Sequence, residues 1–334
     1  MSSPSRDVTA EAVRRAVEDA VQAPSVHNTQ PWRFAVRGSR ISLSADSDRR
    51  LDVADPDGRE MLISCGAALY NLRLSMRAQR FEPVVRLLPD PDRPHLLADV
   101  DMEPERVRAG DEVEREHAQI RRRHSHRGAF RPDPVAAEVL TALRHAAERE
   151  GARLIQAADA HVTGALAALT EAAEHIQQRT PSYAAEIARW APAPATARKD
   201  GVQQAAYPRQ TPRTEPHFPA RDFARGQGWG VEPSTDDGTV RAGIVLLLVT
   251  GSDTPAAWLE AGQALQRVLL CAAEHDLAAA YHTQALQVPE LRAFIRAHFC
   301  DDAHPQMLLR LGVPDGEELT TVRRPVEEVI TQEP

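Results

Sequence analysis

The spacing of hydrophobic positions along the chain predicts a mixed α+β fold. Apolar residues recur at helical spacing over 13–21, with Thr9 placed to cap the helix at its N-terminus. Apolar and polar residues then alternate in period two over 32–36 and 41–43, around a short Gly-containing turn. This pattern is typical of a β-hairpin.

Similar patterns continue to the end of the chain. Helices are predicted at about 61–80, 110–121, 134–150, 160–179, 255–276 and 288–298, and strands at 84–88, 96–100, 153–156, 244–250, 278–283 and 307–311. The stretches starting at Gly66 and Gly262 resemble each other, and each is expected to open a long buried helix that a strand follows. We therefore expect an internally duplicated chain, with one half over 1–115 and the other over 116–334.

The segment 181–240 differs from the rest in composition. It contains many of the chain's 25 prolines, as a flexible linker would, but it is also rich in aromatic residues. Aromatic side chains are expected to pack against something, so the segment is interpreted as an ordered, lid-like insertion in the second half. The candidate lid side chains are Tyr207, Phe218 and Trp229.

Composition and charge exclude several classes of protein. The 334 residues carry a formal net charge of −8, which disfavours a dedicated nucleic-acid-binding protein. The longest apolar run, Ile244–Val249, is far too short to cross a membrane, and 1–7 lacks a hydrophobic signal core. Three widely spaced cysteines suggest reduced thiols in a cytoplasmic protein, and no spacing favours a metal site.

The stretch 23–34, between the first helix and the hairpin, is the first candidate for chemistry. It places two prolines, hydroxyl groups and the Asn28 amide in one tight loop. Such a loop can present N–H donors to the rim of a flat heteroaromatic ligand. The alternative is a rigid turn in which Ser25 and Asn28 cap the backbone and Trp32 belongs to the core.

Arginines cluster most densely at 121–127. Guanidinium groups form charge-assisted, often bidentate hydrogen bonds with phosphate, to which a serine hydroxyl can add a contact. A solvated helix end is the alternative for such a run, and a nucleic-acid patch is a less favoured one. A second basic pair, Arg323 and Arg324, follows the strand that ends at Gly312-Val313-Pro314.

The loop at 24–34 resembles the Pro-Ser-x-x-Asn-x-Gln-Pro-Trp-x-Phe signature of the nitroreductase superfamily of FMN proteins. The chain is similar in particular to the Acg branch from actinobacteria, in which two nitroreductase-like halves are fused. The resemblance implies a pseudo-dimer with central antiparallel or mixed sheets flanked by helices. Seven residues agree with the signature: Pro24, Ser25, Asn28, Gln30, Pro31, Trp32 and Phe34.

The resemblance also implies which residues bind FMN. An Arg-x-Ser-x-Arg/Lys element grips the flavin in this family, and a basic pair lies near its phosphate. A loop matched by position alone passes over the reactive face of the ring. The cofactor-binding residues implied in this chain are Pro24, Ser25, Val26, Asn28, Gln30, Arg123, Ser125, Arg127, His282, Thr283, Arg323 and Arg324.

Each of these elements occurs once, so one FMN per chain is expected between the halves, beside a degenerate second site. The function implied is NAD(P)H-dependent, two-electron reduction of a small electron-poor acceptor, a nitroaromatic or a quinone. The flavin carries this chemistry and no catalytic side chain is needed. The alternative is a protein that stores FMN or responds to redox state with little turnover, because a lid covers the flavin. Further homodimerisation is possible.

Overall fold

The computed structural model describes residues 8–104, 110–193, 196–206, 210–211, 214–223, 232–233, 240–241, 243–316 and 321–333. The helices in these ranges are α1 (Ala10–Ala20), α2 (Arg59–Ala78), α3 (Asp111–Ala118), α4 (Ala137–Glu148), α5 (Ala160–Gln178), α6 (Pro181–Arg189), α7 (Pro255–Glu274), α8 (Gln284–Gln287) and α9 (Pro289–Phe299). The strands are β1 (Trp32–Arg37), β2 (Arg40–Ala45), β3 (Phe81–Leu87), β4 (Leu96–Pro104), β5 (Arg153–Gln156), β6 (Gln210–Thr211), β7 (Thr214–Glu215), β8 (Glu232–Pro233), β9 (Val240–Arg241), β10 (Ile244–Thr250), β11 (Ala278–Tyr281), β12 (His304–Gly312) and β13 (Ile330–Gln332).

The predicted mixed α+β fold is confirmed. The Thr9 hydroxyl accepts a hydrogen bond from the Ala12 N–H and caps α1, as the sequence predicted. The hairpin forms as β1 and β2, and the strands predicted at 153–156 and 244–250 have those bounds. The sequence did not predict α6 inside the 181–240 segment or the terminal strand β13.

Two sheets organise the fold. The first has the order β13-β1-β2-β4-β3, in which β13 runs parallel to β1 and the other neighbours are antiparallel. The second, β11-β12-β10-β5, is antiparallel throughout. Because β13 comes from the end of the chain, the C-terminus completes the sheet that the N-terminal residues build.

The helices α2 and α7 pack against each other at the centre of the molecule. Each has 20 residues and each carries a glycine at its eighth position, Gly66 and Gly262, rather than at its start as expected. A Cβ on Gly66 would lie 2.2 Å from the Leu259 carbonyl oxygen, and one on Gly262 would lie 2.0 Å from that of Ile63. Only glycine allows the two backbones to approach this closely.

The crossing joins the two hydrophobic cores. Leu259 of α7 packs in the core formed by α1, α2 and the first sheet. In return, Ile63 of α2 packs in the core formed by α4, α7 and the second sheet. The arrangement is reciprocal because each of these residues lies three positions before its helix's glycine.

The division at 115/116 stays a prediction. That boundary lies inside α3, and β13 belongs to the first sheet although it follows the second half. The equal lengths of α2 and α7 and the matching glycine positions are consistent with duplication. Within the described ranges, every helix is either too short or too polar to span a lipid bilayer.

We expect Gly262→Ala to destabilise the fold, because the added methyl group must push α2 and α7 apart. The expected loss in the free energy of unfolding is about 3 kcal/mol, measured by chemical denaturation. Gly164→Ala is the matched control, since Gly164 lies in α5 with nothing within 4 Å of an added Cβ. That variant should gain roughly 0.5–1 kcal/mol. Equal stability of the two variants would contradict the close crossing.

Candidate functional site

A cleft lies beside the helix crossing, with a free space of about 1230 Å³ including its open mouth. The loop after α1 forms part of its wall, with Ile63 and Ser64 of α2 and Leu265 of α7. The other walls come from 125–128, the 218–223 segment, the second sheet and the C-terminal segment. Nine of the predicted binding residues line this cleft: Pro24, Ser25, Val26, Asn28, Ser125, Arg127, His282, Thr283 and Arg323.

Three predicted residues, Gln30, Arg123 and Arg324, do not line the cleft. The buried Gln30 side chain donates to the Lys199 carbonyl oxygen at 2.8 Å and accepts from the Arg324 N–H at 2.8 Å. The Arg324 guanidinium binds the Gln30 carbonyl oxygen and Glu328. Gln30 and Arg324 therefore join the loop to the C-terminal segment, and their assignment as cofactor-binding residues stays a prediction.

The loop after α1 has an unusual backbone. His27, Asn28 and Gln30 all have positive φ, at 47°, 53° and 50°. Residues other than glycine rarely adopt this conformation, and it persists only where the surroundings hold it. Here the Ser25 hydroxyl accepts from the Gln30 N–H at 2.9 Å, and the Ser64 hydroxyl accepts from Val26 N–H at 3.1 Å.

The Asn28 carboxamide is fully engaged with the protein. Its NH₂ group donates to the carbonyl oxygens of Gly201 and Val322, at 3.0 and 3.1 Å. Its oxygen accepts from Arg323 at 3.2 Å. The side chain therefore links three segments at the cleft, in agreement with the capping role that the sequence left open for it.

Two arginines that are far apart in the sequence, Arg123 and Arg323, come together in the structure. Both donate to the carbonyl oxygen of Gln22, at 3.1 and 3.2 Å. Arg123 Nε and Nη1 and Arg323 Nε are buried and have no hydrogen-bond partner among the described residues. The arrangement gathers unsatisfied, positively charged N–H donors around Arg323, which lines the cleft, with Arg123 beside it but not in the cleft wall.

The positive charges of Arg123 and Arg323 are not balanced by a neighbouring carboxylate among the described residues. Burial, together with the nearby positive charges of Arg123 and Arg127, lowers the pKa of Arg323 to about 9. Burial also lowers the pKa of Arg123. Tyr281 is the group that opposes both shifts, and no carboxylate of the described residues contributes to either. A bound anion would supply the missing countercharge.

The predicted arginine cluster separates into two kinds of residue. Arg121 and Arg122 are exposed and form ion pairs, Arg121 with the buried Asp19 at 3.6 Å and Arg122 with Asp276 at 2.8 Å. Arg123 turns into the protein, and Arg127 lines the cleft and donates to the Ala206 carbonyl oxygen at 3.3 Å. The alternative interpretation of this run, a solvated helix end, therefore fits Arg121 and Arg122 but not Arg123 and Arg127.

His282 and Arg310 form a buried pair on the second sheet. Arg310 Nε donates to His282 Nε2 at 2.8 Å, so that this imidazole nitrogen is an acceptor. Burial and the neighbouring Arg310 hold the pKa of His282 well below its usual value, and the ring is neutral. The Arg310 guanidinium lies 5.4 Å from the ring centres of Phe130 and Phe218, which cover its faces.

Of the lid candidates, Phe218 is buried and lines the cleft, whereas Tyr207 and Trp229 lie outside the described residues. Phe223, from the same segment, also lines the cleft. Nine lining residues that are polar, aromatic or charged were not predicted as cofactor-binding or lid residues: His27, Glu60, Ser64, His126, Arg221, Phe223, Tyr281, Arg310 and Thr321. His27, His126, Tyr281 and Arg310 stand inside motifs that the sequence did single out, whereas Glu60, Ser64 and Thr321 carry no local signal.

The described residues include no group of three or more His, Cys, Asp or Glu side chains placed to bind a metal ion.

No family model matches the chain. Among curated proteins, it is 33% identical to "Putative NAD(P)H nitroreductase Rv3131" of Mycobacterium tuberculosis, over 91% of this chain and 85% of that protein. It is 31% identical to "Putative NAD(P)H nitroreductase acg" of the same species, over 98% of this chain and 97% of that protein.

The chain belongs to the nitroreductase family. Its similarity to the Acg protein extends over nearly the whole of both chains and confirms the Acg-like resemblance. The similarity of the fold to solved structures is weaker. A nitroreductase with bound FMN from Desulfitobacterium hafniense has a TM-score of 0.40 at 16% identity, covering 65% of this chain and 97% of that one. Another from Bacteroides fragilis has a TM-score of 0.37 at 13% identity, covering 63% and 93%.

We expect Gln30→Leu to destabilise the protein. The Lys199 carbonyl and the Arg324 N–H would each lose a buried partner, at roughly 1–3 kcal/mol per group. Chemical denaturation measures this loss. The matched control is Gln204→Leu, because Gln204 is exposed and its change should stay within about 0.5 kcal/mol. If Gln30→Leu left the midpoint of chemical denaturation unchanged, the structural role assigned to Gln30 would be refuted.

Proposed function

We propose that the chain binds one FMN in the cleft and acts as an NAD(P)H-dependent oxidoreductase of the nitroreductase type. The observation that carries the proposal is the pair of Arg123 and Arg323, with three buried N–H donors that have no partner among the described residues. A phosphate monoester fits this end of the cleft, since it brings negative charge and oxygens that only accept hydrogen bonds.

The rest of the cleft fits a flat ring system. Ile63, Leu265 and Met307 offer apolar surface, and the loop from Pro24 to Asn28 offers backbone along one side. Ser125 and Arg127, which occupy two positions of the family's Arg-x-Ser-x-Arg/Lys motif, line the same cleft. These residues would hold the cofactor, orient it and keep water from its ring, consistent with ligand sites that are mostly apolar with a few polar groups.

FMN, when bound, supplies hydride transfer between a nicotinamide donor and a second substrate. The names of the curated relatives support NAD(P)H as the donor. For the acceptor, we propose a small electron-poor molecule, either a nitroaromatic or a quinone. The part of the protein is to bind these molecules in turn at the same cleft.

One flavin per chain follows from the single copy of each binding element. The Pro24–Asn28 loop comes from the first half of the sequence, whereas Arg123 and Arg323 come from the second. The ratio of flavin absorbance to protein in a purified, fully loaded sample measures the stoichiometry. A ratio of two would overturn this part of the proposal.

A second candidate function is FMN storage or redox sensing with little turnover. It is favoured by Phe218 and Phe223, which are buried against the cleft and come from the 181–240 segment that the sequence predicts as a lid. Anaerobic stopped-flow mixing separates the two functions. Rapid bleaching of the flavin by NADH or NADPH supports the oxidoreductase, and bleaching by dithionite alone supports storage.

We expect Arg123→Ala and Arg323→Ala each to weaken FMN binding by about 1.5–3 kcal/mol, which is roughly a 10- to 150-fold rise in Kd. Each substitution removes charge-assisted donors from the phosphate end. Titration of apoprotein with FMN, followed by flavin fluorescence, measures the change. Arg122→Ala is the matched control from the same run, because Arg122 forms an exposed ion pair. Equal affinity in all three variants would place the phosphate elsewhere.

A further inference from the structure

His27 occupies a position in the cleft that the FMN motif does not explain. It is one of the lining residues and is 8% exposed. Its φ of 47° fixes the backbone in the left-handed region, and its ring packs edge-on against Phe223 at 5.1 Å between centroids. Backbone and ring are thus held in a single arrangement, with a polar side chain at the cleft wall.

The Nε2 atom of His27 is buried without a hydrogen-bond partner among the described residues. The two other histidines of the cleft use the same atom within the protein. His126 Nε2 bonds to the Ala129 carbonyl oxygen at 2.6 Å, and His282 Nε2 accepts from Arg310. A buried polar atom left without a partner is costly, and such atoms in a cleft indicate where a ligand completes the bonding.

The surroundings of His27 define what kind of group can approach it. Burial and the positive charges of Arg221 and Arg127 hold the pKa of His27 well below its usual value. The imidazole is therefore neutral and carries one N–H and one lone pair. The same positive charges favour an electron-rich group beside the ring. A nitro or quinone oxygen has this character, and it has lone pairs only, so that it requires the tautomer protonated at Nε2.

We propose that His27 binds the electron-accepting substrate, with its Nε2–H donating a hydrogen bond to a nitro or quinone oxygen. This inference rests on the proposed function, since it assigns a substrate contact at the same cleft. It gives the 24–28 loop a second role. The loop's backbone borders the cofactor, and the side chain of His27 recognises the oxygen that distinguishes an acceptor from an apolar aromatic molecule.

Equilibrium binding to the oxidised, FMN-loaded protein tests the contact without turnover. Two probes are titrated by calorimetry in the absence of NAD(P)H: 4-nitrobenzyl alcohol, and 4-isopropylbenzyl alcohol, which has a similar shape but no acceptor oxygens on that substituent. His27→Phe keeps a ring and removes the donor. His27→Asn suits the left-handed backbone and is too short to reach, and His27→Gln returns an N–H near the position of Nε2.

We expect His27→Phe and His27→Asn to bind the nitro probe roughly tenfold more weakly, corresponding to one neutral hydrogen bond. His27→Gln should recover most of this affinity, and the isopropyl probe should respond little to any variant. Unchanged nitro binding, or equal losses for both probes, overturns the inference. So does a weakened FMN affinity in the Phe and Asn variants, which would assign Nε2 to the flavin.

The two proposals fail in different ways. A wild-type chain that binds no FMN overturns the proposed function and this inference with it. An FMN-loaded chain that is reduced by NAD(P)H, but whose His27 variants keep full affinity for the nitro probe, overturns only the contact assigned to His27.

Discussion

The close crossing of α2 and α7 is the constraint on which the rest of the structure depends. At Gly66 and Gly262 the two backbones approach so closely that a single added methyl group would overlap a carbonyl oxygen. The crossing fixes the relation between the two cores, because Leu259 and Ile63 each pack in the core of the opposite helix. It also builds the cleft, since Ile63 and Leu265 beside the crossing form part of its wall.

The cleft that results is costly for the protein alone. Arg123 and Arg323 are brought together with their charges uncompensated by any described carboxylate, and the positive φ angles of His27, Asn28 and Gln30 add backbone strain. A fold tolerates such costs where a ligand offsets them, because a ligand that binds only the native state stabilises it by an amount that grows with the logarithm of the ligand concentration above Kd. The stability of this protein and its affinity for an anionic cofactor are therefore linked.

The sequence predicted the elements whose signal is local. Strands such as Ile244–Thr250 and capped helices such as α1 follow from hydrophobic periodicity and a Thr N-cap, and both were predicted correctly. The sequence also identified the motif residues of the loop at 24–34, but it did not predict all of the contacts that they make. Nothing local distinguishes Gln30, which holds the C-terminal segment, from Asn28, which lines the cleft. Arg310 was missed because its partner His282 is 28 positions away and meets it only across paired strands.

The long-range contacts of the loop explain why the chain needs its C-terminus to form the site. Asn28 binds Val322 and Arg323, while Gln30 binds Arg324, so that the loop meets three consecutive residues nearly 300 positions away. The strand β13 then continues from this segment into the first sheet beside β1. The sheet therefore holds in register the segment that carries Arg323, and the part of the cleft that we propose for the phosphate forms only when both ends of the chain have folded together.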